Sequence, residues 1–227
     1  MVTSCPNIRK LRLSEFGLLD DSWLPIIAQL TKLTHLDLAR PGKGSFTDDA
    51  VIELLKKVGH GLRHLDLSRH VELADPVLLE GVAEYCPNLT TLRMEDVSGN
   101  PDLNRPESIG LTDDGVARFF DRWKRNGSTG CAELDFHGCH SLQDAALRAL
   151  VGHSHGTLEK LNISGWKEVS AEALRELGDK CKRLTELDVG WCRSLTDFGL
   201  KDILDGCPNI KLVKVWGACA GVGGGVD

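Results

Sequence analysis

Four side chains of zinc-ligand type crowd into one stretch, CAELDFHGCHSL (131–142): Cys131, His137, Cys139 and His140. Thiolate and imidazole groups in that number would hold a tetrahedral ion if their atoms converged on one point. Two shorter words, HLDL at 35–38 and 64–67, place a histidine two residues before an aspartate. On a strand those two side chains share a face, the arrangement an acid–base or metal pair would need. Whether any of these residues can do chemistry depends on the elements that carry them.

Those elements repeat. A six-residue frame recurs eight times: IRKLRL (8–13), LTHLDL (33–38), LRHLDL (62–67), LTTLRM (89–94), CAELDF (131–136), LEKLNI (158–163), LTELDV (184–189) and IKLVKV (210–215). Its central aliphatics are spaced 25, 29, 27, 42, 27, 26 and 26 residues apart, a period of about 26 with one long interruption between Leu92 and Leu134. A second signature follows most frames: FTDDAV (46–51), LADPVL (73–78), LTDDGV (111–116), LQDAAL (142–147), VSAEAL (169–174) and LTDFGL (195–200), with a looser LDDSWL (19–24) in the first repeat. A Ser or Thr there can cap a helix, and the early Asp suits the positive end of its dipole. Apolar residues at helical spacing come next, and CPNI, CPNL or CKRL closes several units.

Each unit is therefore a short strand, a turn and a helix. Alternation within L-x-L turns the leucines inward and the residues between them outward. Strands joined through helices must run parallel, and each unit has an apolar face that only its neighbours can cover. Burial of each frame leucine contributes about 1.5–3 kcal/mol. The expected fold is α/β: a solenoid of about eight repeats of about 26 residues, curved as a horseshoe, with parallel strands on the concave face and helices on the convex face.

Set in that repeat, the metal site comes apart. Cys131 stands where leucines stand and points inward, whereas His137 falls in an outward column with Ser68 and Trp216. Cys139 and Cys192 share a slot three residues past the strand, where a small side chain can bond turn backbone, and His140 follows in the turn. No metal or cofactor is expected. The HLDL words lack a recurring third ligand and a nucleophile with a placed base, so they read as a solvated ladder.

Composition narrows the function classes. Twenty-seven Lys and Arg against 33 Asp and Glu give a net charge of −6, which argues against a dedicated nucleic-acid surface. No apolar run approaches 18 residues, and the N-terminus has no signal-peptide core. Eight cysteines without an export signal favour free thiols in a reducing intracellular compartment. Solenoid repeats are expected over 1–217, with an insertion at about 97–111, an extended helix at about 112–126 and a disordered tail at 218–227. Neither end reads as a solenoid cap, so a missing N-terminal region and missing caps are expected.

The outward columns are where a partner would sit. One runs Arg12, Asp37, Asp66, Arg93, Asp135, Asn162, Asp188 and Lys214; the column before it runs Lys10, His35, His64, Thr91, Glu133, Lys160, Glu186 and Leu212. Just past the strands come Ser14, Ala39, Ser68, Glu95, His137, Ser164, Gly190 and Trp216. Asp37 beside Asp66 is unfavourable unless countered, and Arg40 and Arg69 offer counter-charge. Trp166, Trp191 and Trp216 cluster just after three successive strands, and rim aromatics are typical interaction anchors; packing under the turns is the plainer reading, above all for Trp166 in the cysteine slot. The candidate partner-binding set on the concave face and rim is Asp37, Asp66, Arg69, Arg93, Glu95, Asp135, His137, Asp188, Trp191 and Trp216. Arg122, Lys124 and Arg125 form a local basic cluster, read first as a solvated helix end.

The order of leucine frame, post-strand Cys, [LF]-T-D, helix and C-P-N-[LI] resembles the cysteine-containing subclass of leucine-rich repeats, best known from F-box substrate receptors of ubiquitin ligases. Three stretches, LRLSEFGLLDDSWL (11–24), LNISGWKEVSAEAL (161–174) and LDVGWCRSLTDFGLKDILDGCPNIKLVKVWGACA (187–220), are similar to the repeat domain of fungal nucleotide-excision-repair proteins of the "Rad seven" type. The resemblance implies a nuclear, non-catalytic scaffold in a global-genome-repair ubiquitin-ligase substrate receptor. Its implied partners are a RING-bearing Swi/Snf-type ATPase and an elongin C or Skp-type adaptor with a cullin. DNA would then be met only through the complex, with no membrane and no small-molecule substrate. A generic F-box-type receptor of a Skp–cullin ligase or a related cell-cycle regulator is the alternative, and direct binding of damaged DNA a further one.

Overall fold

The computed structural model describes residues 5–14, 19–39, 46–70, 73–97 and 110–217. The expected tail at 218–227, the greater part of the expected insertion, and Arg40 lie outside them. Eight three-residue strands form one open parallel sheet in chain order: β1 (Lys10–Arg12), β2 (His35–Asp37), β3 (His64–Asp66), β4 (Thr91–Arg93), β5 (Glu133–Asp135), β6 (Lys160–Asn162), β7 (Glu186–Asp188) and β8 (Leu212–Lys214). Register pairs Leu11, Leu36, Leu65, Leu92, Leu134, Leu161, Leu187 and Val213 as one row. The outward columns therefore stand as the repeat alignment places them. The fold is a leucine-rich-repeat solenoid.

Helices α1 (Leu24–Ile27), α2 (Asp48–Val58), α3 (Ala83–Tyr85, entered through a π-helical turn at Val77–Val82), α4 (Asp113–Arg125), α5 (Asp144–Ser154), α6 (Ala171–Lys180) and α7 (Asp197–Gly206) back the sheet. Thr47, Thr112, Ser170 and Thr196 cap their helices by accepting the N–H three residues on. The core is one continuous layer of frame leucines between sheet and helices, joined by Phe46, Phe119, Phe120, Trp123, Phe136 and Trp166.

Neighbouring repeats also bond beyond the strands. The early Asp of each helix reaches the start of the next. Asp21 accepts from the N–H and hydroxyl of Thr47, Asp48 from Ala74 N–H at 3.0 Å, Asp75 from Thr112, and Asp144 from Ser170. Gln143, in a capping position, makes no side-chain cap; Asp113 takes its N–H at 2.7 Å and that of Ala146 at 2.9 Å instead. The sixth repeat has Ala171 in this column, and the rung is missing there.

The seven cysteines among the described residues are free. Cys131 is fully buried, and burial pushes its thiol up to about 12. Cys139 and Cys192 donate to the carbonyls of Met94 and Ile163, the last frame residues of the preceding repeat. His70 and Trp166 occupy the same slot and reach the corresponding carbonyls of Leu38 and Phe136 at 2.8 and 3.0 Å. The slot thus serves one backbone acceptor, and Trp166, wholly buried, takes the packing role.

Candidate interaction surface on the concave face and its rim

The aspartate column ends its own strands. Oδ1 of Asp37, Asp66, Asp135 and Asp188, and of Asn162, each accepts the N–H two residues on, at 3.0–3.1 Å. Such Asx turns compete with further extension and close the strand. Arg93 cannot do this, and the N–H of Glu95 bonds Ser68 Oγ of the neighbouring repeat at 3.1 Å instead. One oxygen of each carboxylate is thereby committed to backbone. Burial raises the Asp66 and Asp135 carboxyls above their ordinary range, against the pull of these hydrogen bonds.

The counter-charge expected from Arg69 goes elsewhere. Its guanidinium meets Glu95 at 2.7 Å and Asp96 at 3.8 Å, and not Asp66. The reason is backbone: Arg69 has φ 68°, and its N–H bonds the Glu95 carbonyl at 2.6 Å, which carries the side chain toward the next repeat's rim. Arg93 is the cation whose proximity works against that rise at Asp66, while its Nε donates to Glu133 Oε1 at 3.0 Å.

Arg69 belongs to a slot that repeats. Asp96 (φ 51°), Gly138 (72°), Gly165 (91°), Trp191 (60°) and Gly217 (64°) are left-handed at the same position. Asp96, Gly138, Gly165 and Trp191 donate their N–H to the carbonyls of His137, Ser164, Gly190 and Trp216 at 2.6–2.8 Å, so the interstrand ladder runs on through the turn. Glycine is the natural residue there; an L side chain costs about 1–2 kcal/mol. The indole of Trp191 accepts that cost while 59% exposed, and Trp216 beside it is 74% exposed. A Cβ on Gly217 would stand 2.6 Å from Trp191 Cε3, so the six-membered ring lies directly over that glycine.

His137 has its N–H on Asp135, and its ring comes together with Glu95 and Asp96, one ligand atom of each lying within 4.8 Å of the others. Cys131 lies on the opposite side of the sheet, as the alternation requires, bonded to the Glu133 carbonyl at 3.4 Å. Arg69 supplies positive charge at the Glu95 and Asp96 carboxylates. On the two HLDL words, His35 and His64 stack with centroids 5.7 Å apart, and burial lowers both imidazoles below their ordinary range.

Over β4–β8 the concave face is a shallow cleft of about 220 Å³ lined by Arg93, Glu133, Asp135, Lys160, Asp188 and Lys214 among others. Lys160 pairs with Glu186 at 2.7 Å and Lys214 with Asp188 at 3.6 Å. The basic cluster on α4 is spoken for: Arg122 binds Glu84, Lys124 the Gly152 carbonyl and Arg125 the Asp121 carbonyl. The aspartate rungs and the left-handed slot were not foreseen. Asp at 21, 48, 75, 113 and 144 and Gly at 138, 165 and 217 were the signals that could have found them.

Comparison with known proteins agrees with this architecture. The Leucine Rich repeat family model matches residues 180–204. The chain is 31% identical over 218 residues, 96% of its length, to the DNA repair protein rhp7 of Schizosaccharomyces pombe. It is 29% identical over 75% of its length to the DNA repair protein RAD7 of Saccharomyces cerevisiae, and 28% over 85% to the F-box/LRR-repeat protein 4 of Bos taurus. The alignments span 36%, 28% and 28% of those relatives. Among solved structures, a chain of the yeast Rad7–Elc1 complex superposes with a TM-score of 0.67 at 21% identity, covering 95% of this chain and 65% of that one. Among the described residues no helix is long and apolar enough to cross a membrane. The chain is homologous to the leucine-rich-repeat DNA repair proteins RAD7 and rhp7.

Proposed function

We propose that this chain is the repeat scaffold of a DNA-repair ubiquitin-ligase subunit, acting in the nucleus in global-genome nucleotide excision repair and carrying no catalytic centre of its own. The observation that supports this most is the 31% identity to rhp7 sustained over 96% of the chain, which takes in every strand and helix of the solenoid. The yeast relative's structure was solved with Elc1, and an elongin-C-type adaptor is the partner we assign by homology, with a cullin and a RING-bearing ATPase beyond it. Partner contacts fall to the concave face and rim, at Asp37, Asp66, Arg69, Arg93, Glu95, Asp135, His137, Asp188, Trp191 and Trp216. Asp66, only 8% exposed and bound to Ser68 N–H, acts there mainly by shaping the turn. We assign the solenoid repeats to 1–217.

Co-purification of the tagged full-length protein from nuclear extract tests the assembly. Recovery of an elongin-C-type adaptor with a RING-bearing ATPase is expected. Recovery of a Skp-type adaptor alone would move the protein to the F-box receptors, a reading that the 28% identity to F-box/LRR-repeat protein 4 favours. Recovery of no ligase component would refute both.

A further inference from the structure

The rim at the end of the concave face holds two exposed indoles that the solenoid does not need. Trp191 occupies a left-handed slot that Gly138, Gly165 and Gly217 fill in sibling repeats, and Trp216 occupies a column where Ser68 and Ser164 stand. Neither side chain is buried, and among the described residues neither indole N–H has an acceptor, in contrast to Trp123 and Trp166, whose indoles bond the Cys86 and Phe136 carbonyls. Strained or exposed residues that the fold could replace with smaller ones mark sites held for binding.

The charge beside them has a sign. The outward columns of β5–β8 carry four carboxylates, Glu133, Asp135, Glu186 and Asp188, against two ammonium groups, Lys160 and Lys214, a balance of 2 − 4 = −2. Arg93 on β4 answers Glu133 and acts on Asp135 as well, Lys160 answers Glu186, and Lys214 reaches Asp188 only at 3.6 Å, so carboxylates stay in excess on these strands. Indole faces attract cations, and a planar guanidinium both stacks on an aromatic ring and grips a carboxylate with two parallel hydrogen bonds. We propose that Trp191 and Trp216, with Asp188 and Asp135 on the sheet beside them, receive an arginine-bearing peptide segment of a protein partner. The guanidinium lies on the indole pair, and the segment runs across β7 toward β5. This inference rests on the scaffold reading and names the partner chemistry of one part of its surface.

The test uses the full-length protein and fluorescein-labelled octapeptides of alternating Arg and Gly, with Glu–Gly octapeptides as the comparison. Anisotropy titrations should show saturable binding of the Arg–Gly probe and none of the Glu–Gly probe. W191G and W216S install residues that sibling repeats already carry, and both leave the net charge unchanged, so simple attraction to an acidic protein survives them. Each should weaken Arg–Gly binding at least tenfold, and D188N should weaken it severalfold. Equal binding of both peptides, or binding of the Arg–Gly probe within twofold of wild type in both tryptophan variants, would overturn the proposal. Should a variant fold poorly, oxidative footprinting of the wild-type protein decides: protection of Trp191 and Trp216 by the Arg–Gly probe supports the site, and unchanged oxidation refutes it. Ligase components recovered without peptide binding would remove this inference alone; peptide binding without any ligase component would remove the assembly reading alone.

Discussion

Lowering the pH from 7 to 5 should cost the fold about 4 kcal/mol, carried by two buried histidines. His70 is wholly buried, stacked on Phe46 with centroids 5.0 Å apart, its Nε2 on the Leu38 carbonyl. His153 lies against Trp123 at 4.7 Å and shares hydrogen bonds with Ser128 and Ser154. Burial holds both imidazoles down at about 4, so each is neutral in the folded chain. In the unfolded chain they titrate near 6.5, so below that pH the unfolded state binds more protons. Their contribution is complete above about pH 6.5 and drains away as the pH falls toward 4. Evaluating the linkage at pH 5 gives about 2 kcal/mol for each. His35 and His64, also lowered, add to the slope, whereas Asp48, Asp66 and Asp135, raised by burial, oppose it at the acidic end. Urea unfolding at pH 7, 6 and 5 measures the slope, and H70Q with H153Q should remove most of it whatever their effect at pH 7. A wild-type stability that holds or rises on acidification, or a double variant with the wild-type slope, would refute the reasoning.

Restoring the missing aspartate rung with A171D should stabilise the chain by about 0.5–1.5 kcal/mol, read as a shift in urea midpoint, because the new carboxylate reaches the Thr196 backbone as its siblings do theirs. Conversely, D144A removes the acceptor for both Ser170 donors and should cost about 1–2 kcal/mol in the same assay. W166A opens a cavity in the core and removes the indole donor from the Phe136 carbonyl, so a loss of about 3–5 kcal/mol is expected, while W191G should stay within about 1 kcal/mol of wild type in thermal melts. A thiol reagent should label Cys5, which is exposed, within minutes, and Cys86, Cys131, Cys181 and Cys192 only on unfolding, since burial raises all four thiols.

What could be read in advance was whatever depends on periodicity within a repeat. The row Leu11 to Val213, the inward Cys131 and the outward His137 follow from alternation on a strand; the register bears out the row, and Cys131 is fully buried. What could not be read depends on the neighbour one repeat away. The partner of Asp75 is Thr112, 37 residues on, and no local pattern distinguishes that acceptor role from favourable placement on a helix dipole. Arg69 is a similar case: proximity in sequence points to Asp66, but a left-handed φ turns the chain and delivers the guanidinium to Glu95. Three glycines hint at that conformation, and Arg69, Asp96 and Trp191 conceal it by breaking the glycine pattern. The Asx turns are hidden in the sequence because an outward aspartate on a strand looks free until its backbone neighbours are placed.

The left-handed ladder also decides where such a chain can change length. Each strand counts only three residues, yet bonding between repeats runs from Glu159, which receives the Thr185 N–H, through Gly165, whose N–H reaches the Gly190 carbonyl. An added residue anywhere in that band would throw every later column out of line with its neighbour. Growth is tolerated outside that band, in the connection after the left-handed residue and in the helix beyond it. The one large irregularity of this chain obeys that restriction: most of its extra residues enter between Val97, just past Asp96, and Leu111, just before the Thr112 cap, both anchoring residues buried, and the rest lengthen α4 and its exit. Variation among such repeats is therefore kept off the strand face, which holds a constant pitch however long the connections become.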